Sequence, residues 1–521
     1  MKFSFCHPNH SIHLQIIGAI YKLLGTNYNT NSLFNNHSKQ GEKRMQESID
    51  QKGKSYSRFW FILTLLLGTF TMSISQSSLS TAYPTLMQNF GISADTVQWL
   101  TTGFMLVMCV SMPISPWMLN NLSFRQMFIG ALALFDVGSL MIVFTPSSWG
   151  VHGFWFMMIG RVMEAFAVGV LFPSYQTVLL EITPKDERGT TMGIAGLVMG
   201  SALACGPIIS GIVLKFFDWK SLFILFMIII TAVMIMAGSG LIRNVMERHE
   251  TTLDWLSVVL SIGLIGIMYV VNQIGKKHVD WTINWVVLIL SAVAVILFCV
   301  RQFRLTTPLL ELRVMKTFNY DMAILLTGIS YVALIVVTII FPLYYQGVLH
   351  VSPFVSGMSL VPGAVFLSLL NPFTGKLADM IGFKPTMIVG MLMIVAGWFL
   401  TLAMADVQNL FGMILCAMVI EGGNAFVMMP AVTLGANSLP NELVSHGTAV
   451  ITTIRQILGS VGVAVATMIL TTATANRLAT GASQITASLH GYHVVFITMI
   501  VIEVIGLILA LILRDTKKKT N

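Results

Sequence analysis

The amino-acid sequence predicts an all-α integral membrane protein with fourteen spanning helices. Three observations predict it. Of 521 residues, 55% are hydrophobic and 10% charged, and the mean hydropathy is +0.80. A soluble domain carries roughly 25% charged residues, so a surface this poor in charge faces lipid. The apolar residues form fourteen runs, each close to the ~20 residues a helix needs to cross a bilayer. The basic residues fall in the gaps between runs, and basic-rich gaps alternate with basic-poor ones. The formal net charge of +8 gathers into no continuous patch, which excludes nucleic acid as a partner.

In chain order the runs are 59–82, 97–118, 125–145, 153–175, 189–213, 221–242, 254–273, 283–303, 322–346, 355–375, 385–404, 408–431, 447–471 and 493–513. The seventh and eighth are separated by a short polar stretch, Gly275 to Asp280. An even number of spans puts both chain ends on one side. Gaps after even-numbered runs carry Arg125, Lys185, Arg188, Arg243, Arg248, Arg301, Arg304, Arg313, Lys316, Lys376 and Lys384, and the tail adds Arg514, Lys517, Lys518 and Lys519. The opposite gaps carry Lys215, Lys220, Lys276, Lys277 and Arg477. The positive-inside rule then places both termini in the cytoplasm.

Residues 1–44 are polar and rich in Asn and His, and their best apolar run, Ile12 to Leu24, is broken by His13, Gln15 and Lys22. It neither spans nor resembles a signal-peptide core. Two readings stand: Met45 is the true start and 1–44 is untranslated, or 1–44 is a disordered cytoplasmic tail. The five cysteines, Cys6, Cys109, Cys205, Cys299 and Cys416, have no metal-ligand or CxxC spacing and read as buried thiols.

The two ends of the run series echo each other. Run 1 closes with Tyr83-Pro84 and Gln88, and run 9 with Phe341-Pro342 and Gln346. Run 2 leads through Pro116 to Arg125 and Gly130, and run 10 through Pro372 to Lys384 and Gly390. This predicts an N-terminal segment at 1–57, a six-helix bundle at 58–243, two inserted helices at 244–303, a second six-helix bundle at 304–513 and a basic cytoplasmic tail at 514–521. Paired six-helix halves place a transport site between them, near mid-membrane.

Several segments carry chemistry. After run 10 the chain reads Gly375-Lys376-Leu377-Ala378-Asp379-Met380-Ile381-Gly382-Phe383-Lys384. Run 4 holds Gly160-Arg161-Val162-Met163-Glu164 and then Gly169. Run 5 holds Gly193, Gly196, Gly200 and Gly206-Pro207-Ile208-Ile209-Ser210-Gly211. With Gln98-Trp99, Leu253-Asp254, Pro308 to Leu312, Pro362-Gly363, His446-Gly447 and Arg455-Gln456 in matching order, residues 58–513 resemble the fourteen-helix drug:proton antiporters of the major facilitator superfamily, the EmrB/QacA type. The resemblance implies a major facilitator fold of two six-helix bundles plus two inserted helices. It implies an antiporter motif at Gly200, Gly206, Pro207 and Gly211, and a cytoplasmic latch loop at Gly375, Asp379, Gly382 and Lys384. Arg125 belongs to a degenerate first-half copy of that loop, Leu119 to Arg125, which lacks the acid and the glycines. A generic tight turn is the alternative reading of the loop. Many relatives carry an acid in helix 1 where this chain has Ser75.

Charges inside spans are expensive and mark a pathway or a paired site. The candidates for proton coupling or substrate contact are Glu164, Glu421, Arg161, Arg455 and Asp136, with Glu503 a further acid inside run 14. An acid in an apolar cavity is disfavoured as the anion and can load and release a proton. Glu164 and Glu421 rank first because both precede small residues and a proline, Pro173 and Pro430. In Glu421-Gly422-Gly423-Asn424 the glycines are expected to leave room beside the acid. The alternatives are a self-neutralising Arg161–Glu164 pair and a structural, hydrogen-bonded Glu421.

No phosphate-binding loop, GxSxG or HExxH is present, and the gaps are too short for a catalytic domain. The expected function is proton-coupled multidrug efflux by alternating access, with export of amphipathic drugs or dyes implied by the resemblance, carried out by a monomer in the lipid bilayer of a plasma membrane with no cofactor and a proton gradient as energy source. A dedicated exporter of one metabolite, lipid precursor, peptide or antibiotic, and a non-transporting scaffold or sensor, are the alternatives.

Overall fold

The computed structural model describes residues 48–51, 53–273 and 280–514. The leader with Met45, most of the polar stretch 275–280 and the tail lysines fall outside the described residues. A two-residue strand pair, β1 (Ser48–Ile49) against β2 (Ser55–Tyr56), precedes the helices. Then come α1 (Arg58–Ser78), α2 (Trp99–Asn121), α3 (Phe124–Val143), α4 (Gly150–Glu181), α5 (Arg188–Phe216), α6 (Lys220–Leu241), α7 (Trp255–Val271) and α8 (Trp281–Arg304). The chain continues through α9 (Phe318–Gly347), α10 (Val361–Ile381), α11 (Phe383–Ala405), α12 (Leu410–Asn437), α13 (Val444–Ala479) and α14 (Gln484–Ile512).

Each predicted run is helical. Among the described residues thirteen helices are long and apolar enough to cross a bilayer, and α7 is a shorter fourteenth. The helices outlast the apolar runs at several ends. α4 continues to Glu181 and α13 to Ala479, because hydropathy marks the lipid-facing length and a backbone ladder persists through polar residues. Starts are set by side chains that take up orphan amides. Ser123 and Gln126 form a reciprocal capping box on α3, and Ser483 accepts from Thr486 on α14. Between α10 and α11, Gly382 sits at φ 100, a conformation open to glycine.

α1–α6 pack as one bundle and α9–α14 as another. They meet chiefly where α5 lies along α10 and where α4 and α2 meet α13. α8 lies at the perimeter with Ile289, Leu290, Val293, Ile296 and Leu297 exposed, the apolar outer surface that lipid requires. α7 packs on α8, on α2 of the first bundle and on α13 of the second, with Trp99 stacked on Tyr269 at 5.8 Å. The inserted pair is clasped at one end. Arg301 holds Asp254 through two bonds of 2.7 and 2.9 Å. Gln302 donates to Ser257 at 2.6 Å and accepts from the Leu310 amide at 3.1 Å. The Arg301 guanidinium beside Asp254 pulls its carboxyl down to about 2, so the clasp stays ionised at physiological pH.

Both ends of the described chain reach the same face of the bundle. Arg58 donates to Thr183 in the α4–α5 loop at 2.8 Å, and Asn319 at the start of α9 donates to the Arg514 carbonyl at 3.3 Å. This face is called the terminal face below.

Candidate functional site

Arg161 and Glu164 stand one turn apart on α4, so they share a helix face. Arg161 Nη1 lies 2.5 Å from Glu164 Oε2, and the two side chains are 1% and 0% exposed. Ser139 of α3 donates to the other carboxylate oxygen at 2.6 Å. Gly138 permits this approach, since a Cβ there would stand 2.5 Å from the Gly160 carbonyl. The guanidinium lies 4.3 Å over the Phe104 ring of α2, a favourable cation–π arrangement. Its Nη1 reaches Ser75 Oγ at 3.5 Å. Ser75 is thus a neutral neighbour of Arg161, and Glu164 on the same helix as Arg161 supplies the negative charge.

A buried ion pair contributes little net stability, but removing one partner leaves an uncompensated charge. Arg161→Met is therefore expected to destabilise the protein by about 3–5 kcal/mol. The double change Arg161→Met, Glu164→Leu should recover most of that loss. Thermal unfolding of the purified variants checks this; a single variant as stable as the parent would show that the pair does not neutralise itself.

Glu421 occupies the matching place in the second half, nine residues before a proline as Glu164 is (164 to 173, 421 to 430). Its surroundings differ. Met418 stands where Arg161 stands relative to Glu164. Glu421 is 3% exposed, and its Oε2 has no hydrogen-bond partner. Tyr345 of α9, whose buried hydroxyl also lacks a partner, is within electrostatic range. The room beside the acid comes from Gly363 of α10, where a Cβ would stand 2.9 Å from the Glu421 carboxyl carbon. The glycines expected to provide it do something else: Gly422 faces Phe366, and Gly423 lets α12 approach Gly390 and Ile394 of α11.

The halves are tied together at the terminal face. Asp379, at the end of α10, accepts from the amides of Gly189 and Thr190 at 2.8 and 2.6 Å and from the Thr190 hydroxyl at 2.7 Å. A carboxylate thus caps the N-terminus of α5, where orphan amides and the helix dipole favour negative charge. Arg188 donates to Asn437 of α12 at 2.8 Å, and the hydroxyls of Thr177 and Thr448 join α4 to α13. Behind the cap runs a ladder of close approaches. A Cβ on Gly375 would collide with the Gly189 carbonyl. One on Gly193 would stand 2.5 Å from the Asn371 carbonyl, and one on Gly200 2.6 Å from Ser368 Oγ.

The other predicted residues are dispersed. Arg125 is separate from the Asp379 contact; it donates to the Gly238 carbonyl, and its amide to Asn244 at 3.4 Å. Among the described residues Lys384 has no ion pair, and Asp379 meets amides and a hydroxyl rather than a cation. The glycines expected to form an antiporter motif divide three ways. Gly200 lies in the α5–α10 seam, Gly206 abuts Ser77 within the first half, and Gly211 has open space beside it. Pro207 sits inside α5, where it lacks an amide for the ladder. Asp136 is half-buried between α3 and α6 and accepts from Thr231 at 2.8 Å. Glu503 is fully buried on α14 with neither carboxylate oxygen partnered. Arg455 is 5% exposed, and its guanidinium lies 5.3 Å from the centre of the Tyr331 ring. An apolar cleft of about 360 Å³ lies apart from these groups, between α2, α4 and α7, walled by residues that include Trp99, Gly103, Met158 and Ile265.

Sequence reasoning missed the Thr177–Thr448 and Arg188–Asn437 contacts. Arg188 was visible as a loop cation, but its partner lies on a distant helix and no local pattern announces it.

The family profile described as Major Facilitator Superfamily matches residues 65–463. The MFS-type transporter YcnB of Bacillus subtilis is 33% identical over 475 residues, which cover 91% of this chain and 98% of that protein. The lincomycin resistance protein LmrB of Listeria monocytogenes is 32% identical over 465 residues, covering 88% of this chain and 97% of that protein. Among solved structures, the proton:xylose symporter XylE superposes with a TM-score of 0.59 at 13% identity, covering 88% of this chain and 96% of that one.

Proposed function

Because this chain belongs to the major facilitator superfamily, whose members are membrane transporters and not enzymes, we propose that it exports small amphipathic molecules in exchange for protons. The observation that carries the proton part is Glu421: a buried acid with an unpartnered carboxylate oxygen and, among the described residues, no ion pair. Burying it as an anion costs several kcal/mol, whereas the protonated acid is tolerated. Loading and unloading a proton therefore changes the energy of its surroundings, and that difference can bias a conformational equilibrium. Glu164, already neutralised by Arg161, lacks this property.

In this reading the terminal face is cytoplasmic, since its loops hold most of the loop arginines and lysines. The protein works as a monomer in a bacterial plasma membrane, with no cofactor beyond the proton gradient. The halves at 58–243 and 304–513 move as units about the α5–α10 seam, with α7 and α8 between them. The conformation described here is closed at the terminal face by the Asp379 cap and the Arg188–Asn437 bond. Breaking those contacts opens the seam to cytoplasmic substrate, and re-forming them commits the substrate outward. Met429 of α12, which meets Gly196 of α5 across the seam, offers a pliable apolar surface. The likeness to a lincomycin resistance protein supports efflux of drug-like molecules.

The test is flux in proteoliposomes of the purified full chain, with a panel of amphipathic dyes and an imposed pH gradient, acid inside. Dye accumulation above protein-free liposomes, abolished when an ionophore collapses the gradient, is the expected result. Accumulation indifferent to the gradient removes proton coupling; a panel that does not move removes broad efflux.

A further inference from the structure

Arg455 on α13 is a buried cation with no ion pair among the described residues. It is 5% exposed, and its Nε and Nη1 lack hydrogen-bond partners. The groups around it are neutral. Tyr331 of α9 lies under the guanidinium, and the Tyr331 hydroxyl donates to Gln456 at 3.0 Å. Tyr175 of α4 is within electrostatic range from the other half. Among the described residues no carboxylate lies within ion-pair distance of it, whereas the buried Arg161 has Glu164 at 2.5 Å. An unpaired buried charge is costly and normally marks a pathway or site within a membrane.

Its position gives it a use. Arg455 lies seven residues, or two turns, beyond Thr448 (448 to 455), so both point from one face of α13. Thr448 meets Thr177 across the seam at the terminal face. Arg455 therefore lies just behind the contact that must part when that face opens, where a solute entering from that side meets it first. A guanidinium offers a planar fork of donors matched to two oxygens of a carboxylate, phosphate or sulfonate, and the Tyr331 ring beside it gives an adjacent carbon skeleton a flat surface.

We propose that Arg455, backed by Tyr331, anchors the acidic group of the transported molecule, so the preferred substrates are amphipathic acids or zwitterions rather than simple lipophilic cations. This rests on the transport reading above and specifies its substrate class. Glu421 and Arg455 form no ion pair with each other, so proton and substrate occupy separate sites, and their exchange runs through the change of conformation rather than direct displacement.

The test compares rhodamine B, which carries a free carboxylate, with its ethyl ester, which differs in that group alone. Binding of each to the purified full chain in detergent is read by fluorescence anisotropy, for the parent, Arg455→Gln and Arg455→Lys. The acid is expected to bind about tenfold or more tightly than the ester, as charge-assisted hydrogen bonds permit. Arg455→Gln should bring that ratio to about one, and Arg455→Lys should leave it intermediate. An ester that binds the parent as tightly as the acid overturns the proposal, as does an acid that does not bind. So does a folded Arg455→Gln variant that keeps the parent's ratio. If Arg455→Gln does not fold, the parent's ratio and Arg455→Lys decide. Binding is measured without a gradient, so preference for the acid together with gradient-independent flux would sink proton coupling and leave the anchor standing.

Discussion

Glu421→Gln is expected to abolish proton-driven accumulation, to the background of protein-free liposomes, while leaving substrate counterflow intact. Glutamine keeps the volume and most of the polarity of the side chain but cannot ionise. It fits the same space beside Gly363 of α10, and no salt bridge is lost because Glu421 has none among the described residues. The fold should therefore survive, and the loss should fall on coupling alone. Counterflow, driven by a substrate gradient at equal pH on both sides, separates the two functions. Retained proton-driven accumulation in this variant would exclude Glu421 as the coupling acid. Glu164→Gln should behave differently. It leaves Arg161 buried without its anion, so its first effect should be lowered stability rather than selective uncoupling.

The second large effect is expected from Gly375→Leu. The seam between α5 and α10 closes only because paired backbones touch. A Cβ on Gly375 already collides with the Gly189 carbonyl, and α5 cannot retreat without pulling Gly189 and Thr190 off the Asp379 carboxylate. Overpacking costs about 1–3 kcal/mol. Here the cost falls on the closed state, because the clash disappears when the halves part. The equilibrium should shift toward the open terminal face by about tenfold to a hundredfold, and transport should fall in proportion. Spin labels at Lys185 and Asn441, on the terminal-face loops of opposite halves in a background without native cysteines, should report a longer separation than in the parent. An unchanged distance distribution with normal transport would show that the seam does not need to close this tightly.

Much of this was readable in the chain. The runs of twenty apolar residues locate the helices because a lipid-facing backbone must satisfy its own hydrogen bonds. The gap charges foretold the terminal face, whereas the close approach of α5 to α10 at Gly193 and Gly375 appeared only in the structure. The Arg161–Glu164 pair was legible too, since i,i+3 spacing on a helix puts two side chains together without further information. The cap made by Asp379 was only half legible. The acid was a clear candidate, but its partners proved to be the Gly189 and Thr190 amides, and amides carry no side-chain signal in a sequence. Gly363, which makes the space for Glu421, lies 58 residues away from it in the chain (363 to 421) and became meaningful only when α10 was placed against α12.

The sequence by itself determined that this is a fourteen-helix membrane bundle in two halves, which charges lie inside its spans, and which of them is paired by local helix geometry. Those properties depend on composition and on contacts within a turn or two of one helix. The tertiary structure alone decided that, among the described residues, Glu421, Glu503 and Arg455 are buried charges with unpartnered atoms and no ion pair, and that Asp379 closes the seam from the other half. Pairing across distant helices depends on which faces meet, and hydropathy does not say which helix will lie against which.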